Sequence, residues 1–160
     1  MSDTELPTYT ESIRIDASRA EVWALVTAME RYGEWSSENT GGYWRKGEDG
    51  QPGTGLIGDQ FVGINRRDGA EWKAPVEIIE RDEERAFCFV TGGKEADLAR
   101  WRYTLEDADG GTLLTEAWEL RNRAFFVDLG GEDELGRRAA NAKESIGATL
   151  RGMKASAEGG

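Results

Sequence analysis

Histidine is absent from the 160 residues, and cysteine occurs once, at Cys88. The first absence removes Ser-His-Asp and Cys-His catalysis. The two together remove the usual zinc and non-haem iron sites, because only carboxylates remain as metal ligands. Any chemistry must rest on carboxylates, Tyr, Lys, Arg, hydroxyls, amides or a bound cofactor, and nothing in the sequence calls for a metal or a cofactor. A lone cysteine also excludes an internal disulfide. Within "AFCFV", Cys88 reads as a buried, inert thiol.

A basic stripe is missing too. Twenty Lys and Arg stand against 31 Asp and Glu, a formal charge of -11. A nucleic-acid binder needs clustered cations to neutralise phosphates; here Arg66-Arg67 and Arg137-Arg138 are isolated pairs. An anionic membrane surface is disfavoured on the same ground. No apolar run reaches the length of a membrane-spanning helix. The opening "MSDTELPTYTE" has neither the basic start nor the apolar core of a signal peptide. The expectation is one cytoplasmic domain over residues 1–160, as a monomer or homodimer, without nucleic-acid or membrane partners.

Glycine, by contrast, is plentiful, and it produces two nucleotide-binding look-alikes. "GTGLIG" (Gly53 to Gly58) is a literal G-x-G-x-x-G, and "GQPGTG" (Gly50 to Gly55) opens like a phosphate loop. The first motif needs a helix after it, to seat a pyrophosphate on free N–H groups. After Gly58 the chain instead reads "DQFVGINRRDGAEWKAPVEIIE", two alternating runs around an Asp68-Gly69 turn, which is a β-hairpin signature. The second motif needs Lys and then Ser or Thr after Gly55, where Leu56 and Ile57 stand. The plainer reading is a Gly/Pro loop between two strands.

"YTESIRI" alternates as a first strand, and Ser18 with Glu21 forms a capping box for a helix bearing Val22, Leu25, Val26 and Met29, broken at Gly33. A strand near Tyr43 to Arg45, the hairpin, "ERAFCFVT" and a last pair joined by "DADGG" come next. The tail changes period: Leu135, Ala139, Ala142, Ile146, Leu150 and Met153 form the stripe of one long amphipathic helix, ended by Gly159-Gly160. The class is α+β, a curved antiparallel sheet with helices on one side.

Alternation also says which side chains face inward. A two-residue turn at Asp68-Gly69 sets Asn65 opposite Trp72, Gly63 opposite Ala74 and Phe61 opposite Val76 on one face, with Asn65 its polar exception. Trp101, Tyr103 and Leu105 share a face, and so do Leu114, Glu116, Trp118 and Leu120. Glu116 is thus a carboxylate on an apolar face, which must be paired or have a raised pKa. Glu116, Asn65 and Tyr103 are the candidate catalytic groups. The structural alternative is an acid paired with Asn65, an Arg or a backbone amide.

The blocks "IRIDASRAEVWALVTAMERYGEWS", "GDQFVGINRRDGAEWKAPVEIIERDEERAFCFV" and "RWRYTLEDADGGTLLTEAWEL", in this order and spacing, resemble the START-like, SRPBCC superfamily in its polyketide cyclase/dehydrase branch. The resemblance covers nearly the whole chain. It implies a helix-grip fold, with the sheet wrapped around the C-terminal helix and an apolar cavity beneath that helix. It also implies a hydrophobic small-molecule ligand. Trp35, Trp72, Trp101 and Trp118 are candidates to stack on a planar ligand. Phe61, Phe89, Leu114, Ile146 and Leu150 complete the expected ligand-binding set. Three functions stay open: a cyclase or aromatase acting on a polyketide-like chain, a non-catalytic lipid or small-molecule carrier, and an interaction module like the superfamily's co-chaperone branch.

Overall fold

A computed structural model describes residues 6–159. The first five residues, where the sequence argues against a signal peptide, and Gly160, expected to help end the last helix, lie outside them.

Seven strands form one antiparallel sheet: β1 (Thr8–Ile15), β2 (Asn39–Trp44), β3 (Gln60–Arg67), β4 (Ala70–Asp82), β5 (Ala86–Thr91), β6 (Ala99–Ala108) and β7 (Gly111–Leu120). Their order is β1-β7-β6-β5-β4-β3-β2, so the first two strands in sequence occupy opposite edges. Two hairpin turns are fixed by left-handed residue pairs, Asp68-Gly69 (φ 52° and 82°) and Asp109-Gly110 (φ 47° and 83°). Both central residues at positive φ is what a two-residue turn matched to strand twist requires. The expected register results: Asn65 stands opposite Trp72, Gly63 opposite Ala74 and Phe61 opposite Val76. A bulge between Ile78 and Glu80 adds local bend to the sheet.

Helix α1 (Arg19–Val26) opens on the capping box, with Ser18 and Glu21 bonding reciprocally. It ends at Val26 rather than running to Gly33. Thr27 Oγ1 turns back onto the Trp23 carbonyl at 3.0 Å, and the Tyr32 hydroxyl donates to the Val26 carbonyl. These side chains satisfy carbonyls that a continuing helix would have used, and Met29–Glu34 continue as a 3-10 turn. A four-residue helix, α2 (Gly93–Ala96), joins β5 to β6. Helix α3 (Arg123–Gly130), which the sequence pattern did not reveal, is capped by Asn122 accepting from the Phe125 N–H at 3.1 Å.

Helix α4 (Asp133–Gly159) is the expected long helix. It packs on β1, β7, α1 and α3, and the sheet curls around it in a helix grip. The core between them holds Ile15, Val22, Val26, Phe87, Leu105, Leu114, Ile146, Leu150 and Met153.

Candidate functional site

The curl of the sheet is greater than α4 fills. A cavity of about 600 Å³ remains between α4 and strands β3 to β7, and α3 stands at its mouth with Phe125, Phe126 and Leu129. The sheet wall is aromatic, with Phe61, Trp72, Phe89, Trp101 and Trp118 all on the lining. Trp101 and Trp118 stand opposite each other on β6 and β7, their rings 6.2 Å apart.

The floor carries Glu116. Alternation in β7 sends Leu114, Glu116, Trp118 and Leu120 inward, and Glu116 is 3 % exposed. Its neighbours across the two flanking strands are Tyr103 on β6 and Glu11 on β1. Its Oε1 has no hydrogen-bond partner among the described residues. Burial pushes the carboxyl up to about 8; the Tyr103 phenol opposes this with a hydrogen bond, and the Glu11 charge adds to it. Removal from water disfavours the charged form of an acid. Near neutral pH Glu116 is therefore mostly an uncharged carboxylic acid, able to donate a proton. Burial, followed by the Glu116 charge, also drives the Tyr103 and Tyr32 phenols well above their ordinary range. Tyr32, which the sequence pattern left at the end of a helix, sets its ring tilted against that of Tyr103 at 6.2 Å between ring centres and lines the same floor.

Asn65 lines the cavity but belongs to a different part of it. Its Oδ1 accepts from Asn39 Nδ2 at 3.2 Å. Strand β3 lies four steps from β7, about 19 Å along the sheet at the usual strand spacing. The pairing of Asn65 with Glu116 is absent. Glu116 and Tyr103 form one constellation and Asn65 another.

Four residues expected on the wall lie elsewhere. Trp35 packs across Gly152 of α4, its indole donating to Ser156 Oγ at 2.9 Å. Leu114 points inward but stands between Leu105 and Ile13, at the end of the sheet that α1 covers. Ile146 and Leu150 are wholly buried in the packed core. The part of α4 that reaches the cavity is Ala142 of the apolar stripe and the adjacent residues Arg138, Asn141, Ser145 and Thr149. The apolar stripe seats the helix, and its polar neighbour looks into the space.

The glycine loop is occupied by its own chain. The N–H groups of Thr54, Gly55 and Leu56 converge on Asp59 Oδ2 at 2.9, 3.1 and 3.0 Å. Such a backbone nest suits an anion, and here a carboxylate fills it. No helix comes after it; β3 begins at Gln60. Among the described residues no group of three or more His, Cys, Asp or Glu could hold a metal ion, and no helix is long and apolar enough to cross a membrane.

Sequence comparison matches residues 7–158 to a family described as polyketide cyclase / dehydrase and lipid transport. No functionally curated protein is similar enough in sequence to count as a relative. Among solved structures, the polyketide-cyclase-like protein Cgl2372 from Corynebacterium glutamicum is 29% identical, with a TM-score of 0.64 over 92% of this chain and 88% of that one. A START superfamily protein from Mycobacterium smegmatis shares the fold at 14% identity, with a TM-score of 0.69 over 95% of this chain and 97% of its own. The di-domain ARO/CYC BexL from the BE-7585A biosynthetic pathway is 20% identical, with a TM-score of 0.68 over 98% of this chain; the match spans 52% of BexL.

Proposed function

The chain belongs to the polyketide cyclase / dehydrase and lipid transport family, and on that premise we propose that its cavity binds a planar, largely apolar molecule of aromatic or polyketide type, to which Glu116 gives a proton. The observation that carries this reading is an uncharged carboxyl, one of whose oxygens, Oε1, has no hydrogen-bond partner among the described residues, on the floor of an aromatic-lined cavity. Leaving a buried polar atom unsatisfied costs stability, so a group kept in that state invites a ligand atom. A carboxylic acid there can protonate a carbonyl or leaving hydroxyl oxygen, and the carboxylate so formed can take a proton back from carbon. Tyr103, directly opposite, orients the acid. The cavity walls would hold a flexible chain in one folded shape, which is the larger part of any cyclisation.

The test uses 1-anilinonaphthalene-8-sulfonate. Trp72, Trp101 and Trp118 line the cavity, so saturable binding should quench tryptophan emission, and ATP should give no such signal. Absence of saturable binding by this probe and by unsubstituted polycyclic aromatics would sink the proposal. Glu116→Gln separates enzyme from carrier. It should leave probe affinity within about twofold, and with any substrate that turns over it should cut turnover by about a hundredfold or more.

A further inference from the structure

The two sides of the cavity differ in chemistry. The sheet side is a wall of aromatic rings. The helix side is a polar rail: Asn141, Ser145 and Thr149 recur every four residues along one face of α4 and all line the cavity. Four residues of helix rise about 6 Å, so the rail is about 12 Å long, comparable with a fused bicyclic or tricyclic ring system. Ser145 shares a hydrogen bond with Ser36 at 3.0 Å. The Asn141 side chain is half-buried and that of Thr149 is 5 % exposed, and both border the cavity. A core-facing stripe of a helix over an apolar sheet is normally apolar, as it is one step round α4 at Ala142, Ile146, Leu150 and Met153.

We propose that the Asn141–Ser145–Thr149 rail reads oxygen atoms along one edge of the ligand while its faces lie against the aromatic sheet wall. The ligand class is then a planar polycycle, or a chain folding into one, oxygenated along a single edge. Asn141 both donates and accepts, and a hydroxyl does the same, so the rail takes keto and hydroxyl oxygens alike. Discrimination comes from the unoxygenated analogue, which leaves the rail's groups dry and unpaired. This inference rests on the cavity being the ligand site, and it adds which residues set the choice of ligand.

The experiment displaces 1-anilinonaphthalene-8-sulfonate with naphthalene and with 2,7-dihydroxynaphthalene, whose two oxygens lie along one edge. The wild-type protein should hold the dihydroxy compound about tenfold more tightly, as two net hydrogen bonds allow. In the double variant Asn141→Leu/Thr149→Val that preference should vanish while naphthalene binding is kept. Thr149→Val alone, nearly isosteric, should reduce the preference about threefold and serves if the double variant does not fold. Equal affinities in the wild type, or a preference that survives in the folded variants, would overturn the rail and leave the cavity reading intact. If neither compound nor the dye binds the wild type, the cavity reading itself fails and the rail with it.

Discussion

Trp35 lies across Gly152: a Cβ built on that glycine would come within 2.7 Å of both Cβ and Cδ1 of the tryptophan. The absent side chain is the seat of the ring, and Ser156, one turn further along α4, takes the indole N–H. Helix α4 therefore gives up helical propensity at Gly152 to bring the 3-10 segment against it.

That contact separates two substitutions of the same chemistry. Gly136 also lies inside α4, and a Cβ added there would meet nothing within 4 Å. Gly136→Ala should stabilise the protein by up to about 1 kcal/mol, the propensity difference. Gly152→Ala gains the same propensity but overpacks against Trp35, at a cost of about 1–3 kcal/mol. Urea denaturation should show midpoints moving in opposite directions; two stabilising substitutions would refute the packing role of Gly152.

Asp59 makes the glycine loop a closed structure. Asp59→Ala strips one acceptor from three N–H groups. Thr54 and Leu56 are partly open to water, which replaces part of the loss, and the expected cost is about 1 kcal/mol. The variant should also show faster hydrogen exchange at these three amides. Unchanged exchange would mean that the carboxylate does not hold the loop in solution.

Tyr32 joins two elements through one hydroxyl. Tyr32→Phe leaves the Val26 carbonyl, at the end of α1, without its partner. An unmet buried acceptor costs about 1–3 kcal/mol. Thermal unfolding should fall accordingly, and a variant as stable as wild type would show that another donor serves Val26.

The inward faces of the strands were readable because side chains alternate strictly along an extended backbone. Phe61, Tyr103, Glu116 and Trp118 all lie where that period puts them. The cavity's outline was not readable, because it depends on where helices cross the sheet. Leu114 shares the face of Glu116 yet is covered, and nothing in the β7 pattern distinguishes the two. On α4 the apolar stripe correctly marked the packed side, but the adjacent polar stripe at Asn141, Ser145 and Thr149 resembles a solvated face. Only the curvature of the sheet reveals that it borders a cavity. Helix α3 was hidden by its length, since eight residues allow little periodicity, although Phe125, Phe126 and Leu129 fall at helical spacing.

Glu116 should govern how stability varies with pH. Its folded-state value is raised to about 8 from an ordinary 4.5. Between those values the native state keeps a proton that the unfolded chain has released. Stability must then fall as pH rises through this window, by about 1.4 kcal/mol per pH unit at most, and level off above it. The carboxyls of Glu34, Glu80, Glu83 and Glu158 are lowered by hydrogen-bonded cations. In Asp97 and Glu134 burial works the other way, and the paired arginines outweigh it. The contribution of these six is present above the ordinary carboxylate value and is lost on acidification below it, outside the window. Burial pushes the Cys88 thiol up to about 11, above it. With no histidine in the chain, no other side chain ordinarily titrates between pH 5 and 8. Chemical denaturation across that range should show wild-type stability declining, and Glu116→Gln, which cannot ionise, should flatten the decline. Tyr103→Phe should extend it to higher pH, because the phenol that favours the charged carboxylate is gone. A wild-type profile already flat from pH 5 to 8 would mean that Glu116 is ionised in the fold, and the proton-donor role proposed for it would fail.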